Sequence, residues 1–259
     1  LLPSSYYTNA SEFEFATRGI YSAFLGGSYY GGSLQSLPDI MSDNVILAQR
    51  GRRSNQSFHE WRHGPNLAWG MLYSPYVVTN RANLILNYIG NLDEGPEKDN
   101  FMGEAKAARA LALFDMVRVY SKIPTQAGSE SSLGLPIITG IDPNVRELRP
   151  PVADSYQFIV SELEEAKGLI NSDNGVGRLN KDAVSAILSR AYLYMGEYQN
   201  AVNSADEVST PISSFAEVGQ VWKDASEAGV IFKVDQDRNL DGVSTVSYTH
   251  LTLPTSNSV

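Results

Sequence analysis

Apolar side chains recur at intervals of three and four residues through much of the chain, a pattern that predicts amphipathic helices. The first of these segments runs from Ser11 to Leu25. Three further segments have the same spacing, at 66–89, 103–120 and 152–171. Pro75 falls inside the second segment and predicts either a kink or a helix that begins near it. Helices are therefore expected to form most of the fold.

A helical pair near the C-terminal end of this pattern is the clearest structural signal. Lys181–Met195 and Gln199–Val208 are predicted helices, and Gly196 lies in the tight turn between them. The small and aromatic positions have the spacing of a tetratricopeptide (TPR) repeat. One such pair cannot bury its own apolar face, so we expect it to stack on the helices at 103–120 and 152–171.

Two segments interrupt the helical pattern. Gly26–Ser36 is rich in Gly, Ser and Tyr and is predicted to be a loop, in which Tyr29 and Tyr30 are candidates for exposed aromatic side chains. Residues 229–235 alternate and are β-branched, which predicts a short strand. The fold class expected from the pattern is therefore all-α, with TPR-like helix pairs and a minor β element near 229–235.

Composition excludes several classes of function. The chain has no cysteine, which excludes disulfides, thiolate nucleophiles and cysteine-ligated metals. Its net charge of −9 disfavours binding to nucleic acid, which requires a positive surface for phosphates. No apolar run approaches the ~20 residues that a membrane-spanning helix needs. We also find no phosphate-binding glycine loop, no dinucleotide fingerprint and no Ser-His-Asp signature.

One short motif points to an enzyme. His59-Glu60-Trp61-Arg62-His63 fits the H-E-x-x-H pattern, in which two histidines one helical turn apart bind zinc and the glutamate acts as general base. Gly64-Pro65 follows at once and opposes a continuing helix. A third protein ligand is not evident, so a zinc peptidase remains the less favoured alternative.

Aromatic and basic side chains suggest a binding surface instead. Arg50, Arg52 and Arg53 could contact an anion or sugar hydroxyls, although a solvated loop is the favoured explanation for them. Trp61 lies in a polar loop, so it remains a candidate for stacking on a flat ligand. The remaining aromatic residues of this region lie at helical spacing and are predicted to be core; they are Trp69, Tyr73 and Tyr76.

The order of several segments resembles the SusD/RagB family. Gly103–Tyr120, followed by Ile123-Pro124, is similar to the signature helix of that family. Further segments resemble it in the same order: Trp69–Leu86 with Asn80-Arg81-Ala82-Asn83, Gly134–Ile137, Arg149–Leu169, Leu179–Ala201 and Glu227–Val234. The resemblance extends over roughly residues 3–240.

The resemblance implies a non-catalytic protein that binds glycans or other nutrients. It implies a surface-exposed outer-membrane lipoprotein, anchored through a lipidated cysteine, whose partner is a SusC-like TonB-dependent transporter. No metal or cofactor is expected. The ligand contacts of the family map loosely onto Asp43, Asn44, Gln49, Arg50 and Asn55, and Trp61 completes the predicted site. A TPR-like scaffold that binds peptides is the alternative binding protein.

Family members are longer than this chain, which leads to an expectation about its extent. We expect residues 1–243 to be the N-terminal portion of a SusD-like helical domain and residues 244–259 to be a non-native tail. A truncated fold should leave apolar helix faces uncovered.

Overall fold

The computed structural model describes residues 5–42, 44–47, 51, 53, 55–62, 64, 69–235 and 251–252, and they are mainly helical. The helices are α1 (Ala10–Phe24), α2 (Ser33–Met41), α3 (Gln56–His59), α4 (Tyr73–Tyr88), α5 (Pro96–Tyr120), α6 (Val152–Leu169), α7 (Lys181–Met195), α8 (Tyr198–Asp206) and α9 (Phe215–Val221). Two short strands, β1 (Ile46–Leu47) and β2 (Leu251–Thr252), pair in antiparallel orientation. The predicted all-α class is confirmed.

The chain divides into two compact units. The first contains the residues up to Tyr21 together with Tyr76–Asp235, and the second contains Ser22–Pro75 and strand β2. The predicted division at residue 243 stays a prediction, because apart from Leu251–Thr252 the residues from 236 onward lie outside the described part of the chain.

The core of the first unit is built around α5. Its alanines allow close approach, and Ala105, Ala108 and Ala112 are fully buried. Helix α6 packs along α5. At Gly103 a Cβ atom would lie 2.7 Å from the backbone nitrogen of Ile170, so this contact requires glycine. Small residues on α5 thus set the helix spacing.

The TPR-like pair has the predicted arrangement. Helix α7 packs against both α6 and α8. Gly196 ends α7 with a φ of +79°, the left-handed conformation that glycine adopts at low cost. Ser189 Oγ donates a hydrogen bond of 2.8 Å to the carbonyl of Ala201, which joins the two helices.

A polar network also lies within the first unit. Arg178 donates a hydrogen bond to Glu104 on α5, 2.6 Å away, and another to Glu14 on α1, 3.0 Å away. The phenol of Tyr21 donates to Glu104 as well. Burial raises the pKa of the Glu104 carboxyl, and the bonds from Arg178 and Tyr21 oppose that rise. These contacts tie α1 and α5 to the turn that precedes α7.

Several helix boundaries differ from the prediction. Helix α4 begins at Tyr73, so Pro75 lies in its first turn, where proline is tolerated. Helix α5 begins at Pro96, before the predicted start at residue 103. Helix α2 begins at Ser33, inside the predicted glycine-rich loop. Helix α9 was not predicted, although Ser214-x-x-Glu217 forms a capping box that signals its start.

The strand predicted at residues 229–235 is not formed. Gly229 lies in a turn with a φ of +73°. The backbone nitrogen of Lys233 donates to the carbonyl of Val176 at 2.8 Å, and the Asn180 amide donates to the carbonyl of Ile231 at 3.1 Å. The segment therefore satisfies its polar groups against the turn before α7 instead of against a second strand.

Large apolar side chains are exposed around α9. Ile212, Phe215 and Trp222 are 98%, 96% and 86% exposed. We call these three residues the α9 apolar patch. Among the described helices, none is both long enough and apolar enough to cross a membrane.

Candidate functional site

The predicted site lies in the second unit, where α3 and the residues after it dock on the end of α2. The ring nitrogen Nδ1 of His59 lies 3.3 Å from the carbonyl oxygen of Ile40. The indole nitrogen of Trp61 donates a hydrogen bond of 2.9 Å to the carbonyl of Met41. Because unpaired carbonyls remain at the end of any helix, these two side chains satisfy groups that α2 itself leaves open.

Two of the predicted site residues, Asn44 and Trp61, each form hydrogen bonds with the C-terminal end of α2. Asn44 donates from its backbone nitrogen to Ser42 Oγ at 3.3 Å, and its amide nitrogen lies 3.4 Å from Asp39 Oδ1. Trp61 contacts Met41 in the same turn. The C-terminal end of α2 is therefore the element that both residues share.

Backbone geometry at both ends of α3 is unusual. Asn55 precedes the helix with a φ of +61°, and Trp61 follows it with a φ of +53°. Asn55 is half-buried, and its carbonyl accepts hydrogen bonds from the backbone nitrogens of Phe58 and His59. Asparagine tolerates the left-handed region, whereas tryptophan rarely adopts it. In this conformation the Trp61 side chain is 62% exposed.

Three predicted contacts cannot be placed. Asp43, Gln49 and Arg50 lie outside the described residues. Of the arginine cluster, Arg53 is described, and its guanidinium lies 4.0 Å from Glu60. These residues stay predictions.

The zinc motif lacks the helix that it requires. Helix α3 ends at His59, and the left-handed φ of Trp61 prevents a continuous helical turn through the motif. Glu60 accepts a hydrogen bond from Gln56 and pairs with Arg62 at 2.6 Å. The bond from Gln56 is the largest influence that lowers the pKa of Glu60, with the two arginines adding to it. His63 lies outside the described residues.

Electrostatics around Glu60 also oppose its use as a general base. A carboxylate with a lowered pKa is a weaker base, and Glu60 already accepts from two side chains. Within the described residues, no group of three or more histidine, aspartate or glutamate side chains is placed to hold a metal ion.

Aromatic side chains elsewhere differ from the prediction. Tyr29, a candidate for exposure, is fully buried and its ring stacks on Phe24 at 5.5 Å. Tyr73, predicted to be core, is 80% exposed. Trp69 and Tyr76 are half-buried. Helical spacing did not identify Tyr73 as exposed, because Tyr73 is the first residue of α4 and lies at the end of that helix. The glycine-rich composition did not identify Tyr29 as buried, because its burial depends on packing against Phe24 of α1.

The structure also reveals a groove that the sequence analysis did not identify. It lies in the first unit between α4 and the irregular segment 138–146, and its volume is about 350 Å³. We call it the α4 groove. Its lining residues include Tyr76, Thr79, Asn80 and Asn83 from α4, which recur at three- and four-residue spacing. This stripe of polar and aromatic residues on a predicted helix is the sequence signal from which the groove could have been identified.

Comparison with known proteins gives one consistent result. Residues 26–193 match the model of the SusD-like family, described as "Starch-binding associating with outer membrane". A SusD-like protein of Bacteroides ovatus is 23% identical over 214 residues, which are 76% of this chain and 35% of that protein. The chain therefore spans about a third of the length of this curated relative.

Solved structures share the fold. A SusD superfamily protein from Bacteroides vulgatus is 27% identical, with a TM-score of 0.76 over 85% of this chain and 53% of that one. A laminarin-binding SusD-like protein is 23% identical, with a TM-score of 0.67 over 82% of this chain and 48% of that one. The chain covers about half of each of these structures.

Proposed function

Because this chain belongs to the SusD-like family, we propose that it binds a glycan at the cell surface and does not change it chemically. Trp61 is the observation that carries the proposal. Its ring is 62% exposed, and its indole nitrogen is held by the carbonyl of Met41. An aromatic face fixed in this way stacks on the apolar face of a sugar ring with little loss of side-chain entropy.

Polar groups beside this ring supply the remaining contacts. Asn44 lies at the same end of α2, and its amide offers donors and an acceptor to neighbouring hydroxyls. Asn55 at the start of α3 offers the same chemistry. Asp43, Gln49 and Arg50 belong to the same proposed site. The net charge of −9 favours a neutral or cationic glycan over a polyanion.

We further propose the cellular setting from the family. The protein would be a surface lipoprotein of the outer membrane that delivers its glycan to a SusC-like TonB-dependent transporter. The test is co-expression of the tagged chain with the SusC-like transporter encoded by its source organism. Retention of the transporter through detergent purification is expected, and its absence from the eluate with both proteins folded would contradict the partnership.

Affinity electrophoresis tests glycan binding directly. Wild type is run through gels that contain soluble starch or laminarin, beside Trp61→Ala and Trp222→Ala. Trp222 is a matched control, because it is an exposed tryptophan that lies in the first unit. We expect Trp61→Ala to weaken binding by about tenfold, the equivalent of ~1.4 kcal/mol, and Trp222→Ala to leave it unchanged.

The same gels separate the alternatives. Samples treated with EDTA or loaded with zinc should migrate as the untreated protein does, since no step of the proposed binding uses a metal. Equal retardation of the two tryptophan variants would contradict the proposed site. Cleavage of a peptide substrate that depends on zinc would contradict the non-catalytic function.

A further inference from the structure

The α4 groove has the form of a small-ligand site. Its volume of about 350 Å³ is at the lower end of the range of ~300–1,000 Å³ that is typical of ligand pockets. One wall is α4 and the other is the irregular segment 138–146.

The wall formed by the irregular segment is fixed by side chains of α4. The hydroxyl of Tyr76 donates to the carbonyl of Pro136 at 3.0 Å. The amide nitrogen of Asn83 donates to the carbonyls of Ile138 and Gly140, at 2.8 and 3.1 Å. Burial raises the pKa of Tyr76 to about 12, so its hydroxyl keeps the proton that it donates. This wall of the groove is therefore already ordered before a ligand binds, so binding does not lose the conformational entropy of ordering it.

The interior of the groove is mainly apolar. Ile138 and Ile141 line it and are half-buried, and the half-buried ring of Tyr76 lies beside them. Val145 adds a side chain that is 38% exposed. These carbon surfaces suit the C–H face of a pyranose ring in the same way as an aromatic surface does.

Polar side chains also line the groove, and some of their hydrogen-bond donors and acceptors are unused within the part of the chain that the structure describes. Asn80 is exposed, and among the described residues its amide has no hydrogen-bond partner. Arg146 uses Nη1 for the carbonyls of Pro143 and Val145, at 2.7 and 2.9 Å. Within the described chain its Nε and Nη2 make no hydrogen bond. Asp142 accepts at Oδ1 from Asn144.

The charges of the groove select the class of ligand. One guanidinium and one carboxylate line it, from Arg146 and Asp142, so its formal charge is balanced. A phosphate or carboxylate ligand would meet Asp142 as well as Arg146, whereas a sugar hydroxyl can accept from one and donate to the other. A neutral ligand with several hydroxyls and an apolar face is therefore the best match.

We propose that the α4 groove is a second glycan subsite that takes one or two neutral hexose units. This inference rests on the proposed function, because it supplies a further contact for the same class of ligand. It differs in location, since the groove lies in the first unit and Trp61 lies in the second.

Short oligosaccharides test the groove, since they are small enough to fill it. Isothermal calorimetry with maltotriose and laminaritriose compares wild type with Asn80→Ala/Arg146→Ala. Asn87→Ala is the matched control, because Asn87 is an exposed asparagine of the same helix that does not line the groove. We expect the double variant to bind one of the trisaccharides at least fivefold more weakly than wild type, and Asn87→Ala to bind as wild type does.

The affinity gels with starch and laminarin distinguish failure of the groove proposal from failure of the proposed function. If Trp61→Ala weakens the retardation by starch or laminarin, and Asn80→Ala/Arg146→Ala leaves trisaccharide binding unaffected, the groove proposal is overturned and the proposed function stands. Absence of binding to both polymers and both trisaccharides would overturn both. Tighter binding of trigalacturonate than of the neutral sugars, lost in Arg146→Ala, would overturn the assignment to a neutral ligand.

Discussion

Arg109 of α5 donates a hydrogen bond to the side-chain oxygen of Asn83 of α4, across 2.7 Å in the interior of the first unit. This bond fixes the orientation of the Asn83 amide, so its nitrogen faces the carbonyls of Ile138 and Gly140. The charge of Arg109 is balanced by Glu162 of α6, whose carboxylate accepts from Nε at 2.8 Å. One buried network thus sets the shape of a surface groove.

Removal of the Asn83 amide should therefore be costly. In Asn83→Ala, two carbonyls and one guanidinium nitrogen lose a partner in a site where Asn83 is 1% exposed. We expect the free energy of unfolding to fall by about 2 kcal/mol, measured by urea denaturation. Asn87→Ala, an exposed change on the same helix, should alter it by less than about 0.5 kcal/mol. Equal stability of the two variants would show that the network does not support the fold.

The close contact at Gly103 predicts that replacing this glycine with alanine destabilises the protein, although the same replacement stabilises most helices. Gly103→Ala places a Cβ 2.7 Å from the Ile170 nitrogen, and such overpacking costs about 1–3 kcal/mol. Gly168→Ala on α6 adds a Cβ where no atom lies within 4 Å, so it should raise stability by up to about 1 kcal/mol. Thermal unfolding of the two variants checks the opposite signs. If Gly103→Ala stabilised the protein, the result would contradict the close packing of α5 against Ile170 at the end of α6.

Asp182 predicts a pH dependence of stability. Burial raises the pKa of its carboxyl, but hydrogen bonds from Thr210 and Ser209 outweigh burial, and the pKa falls below the ordinary 3.8. The backbone nitrogen of Thr210 lies 2.7 Å from Oδ2. Because the folded protein holds this proton less tightly than the unfolded chain does, the stabilisation is present above pH 3.8. It is lost as the pH falls from there through the folded pKa.

The measurement is the unfolding midpoint of Asp182→Asn against wild type from pH 7 to pH 2.5. We expect wild type to be more stable by about 1 kcal/mol at pH 7. The difference should shrink below pH 3.8. Asp173→Asn, an exposed aspartate in the turn before α7, serves as control and should follow wild type throughout. A difference for Asp182→Asn that is constant with pH would exclude the carboxylate as its source.

The α9 apolar patch predicts self-association. Its three side chains are at least 86% exposed, and large exposed apolar side chains promote contact between molecules. Ile212→Ser/Phe215→Ser/Trp222→Gln should lower the apparent mass in light scattering at high protein concentration. Its unfolding free energy should change by less than about 1 kcal/mol, since no packing is lost. The same concentration dependence in wild type and variant would contradict the prediction.

Local sequence predicted helices best where their packing is regular. The TPR-like pair is an example, since the alanines and Gly196 impose their geometry directly through size and backbone freedom. The predicted strand at 229–235 is the opposite case. Alternation there is real, but the hydrogen-bond partners of Ile231 and Lys233 come from the turn before α7. A strand requires a neighbouring strand, and sequence periodicity cannot supply one.

The candidate site was predictable only in part. Trp61 was identified as an aromatic residue in a polar loop, and it proves to be exposed. The sequence did not show that its indole binds the carbonyl of Met41, nor that the ring of His59 lies against the carbonyl of Ile40. Those facts depend on how α3 docks on α2, which is a long-range contact.

The sequence by itself determined the helical class, the TPR-like pair and the likeness to a family, because spacing and residue size act locally and repeat along the chain. Only the tertiary structure decided which polar side chains form hydrogen bonds in the interior and which stay exposed in the groove. Asn80 and Asn83 are three positions apart on one helix, yet Asn80 lines the groove while Asn83 holds its wall. The physical reason is that a hydrogen-bond partner is chosen by the packing of other elements, and no single segment contains that information.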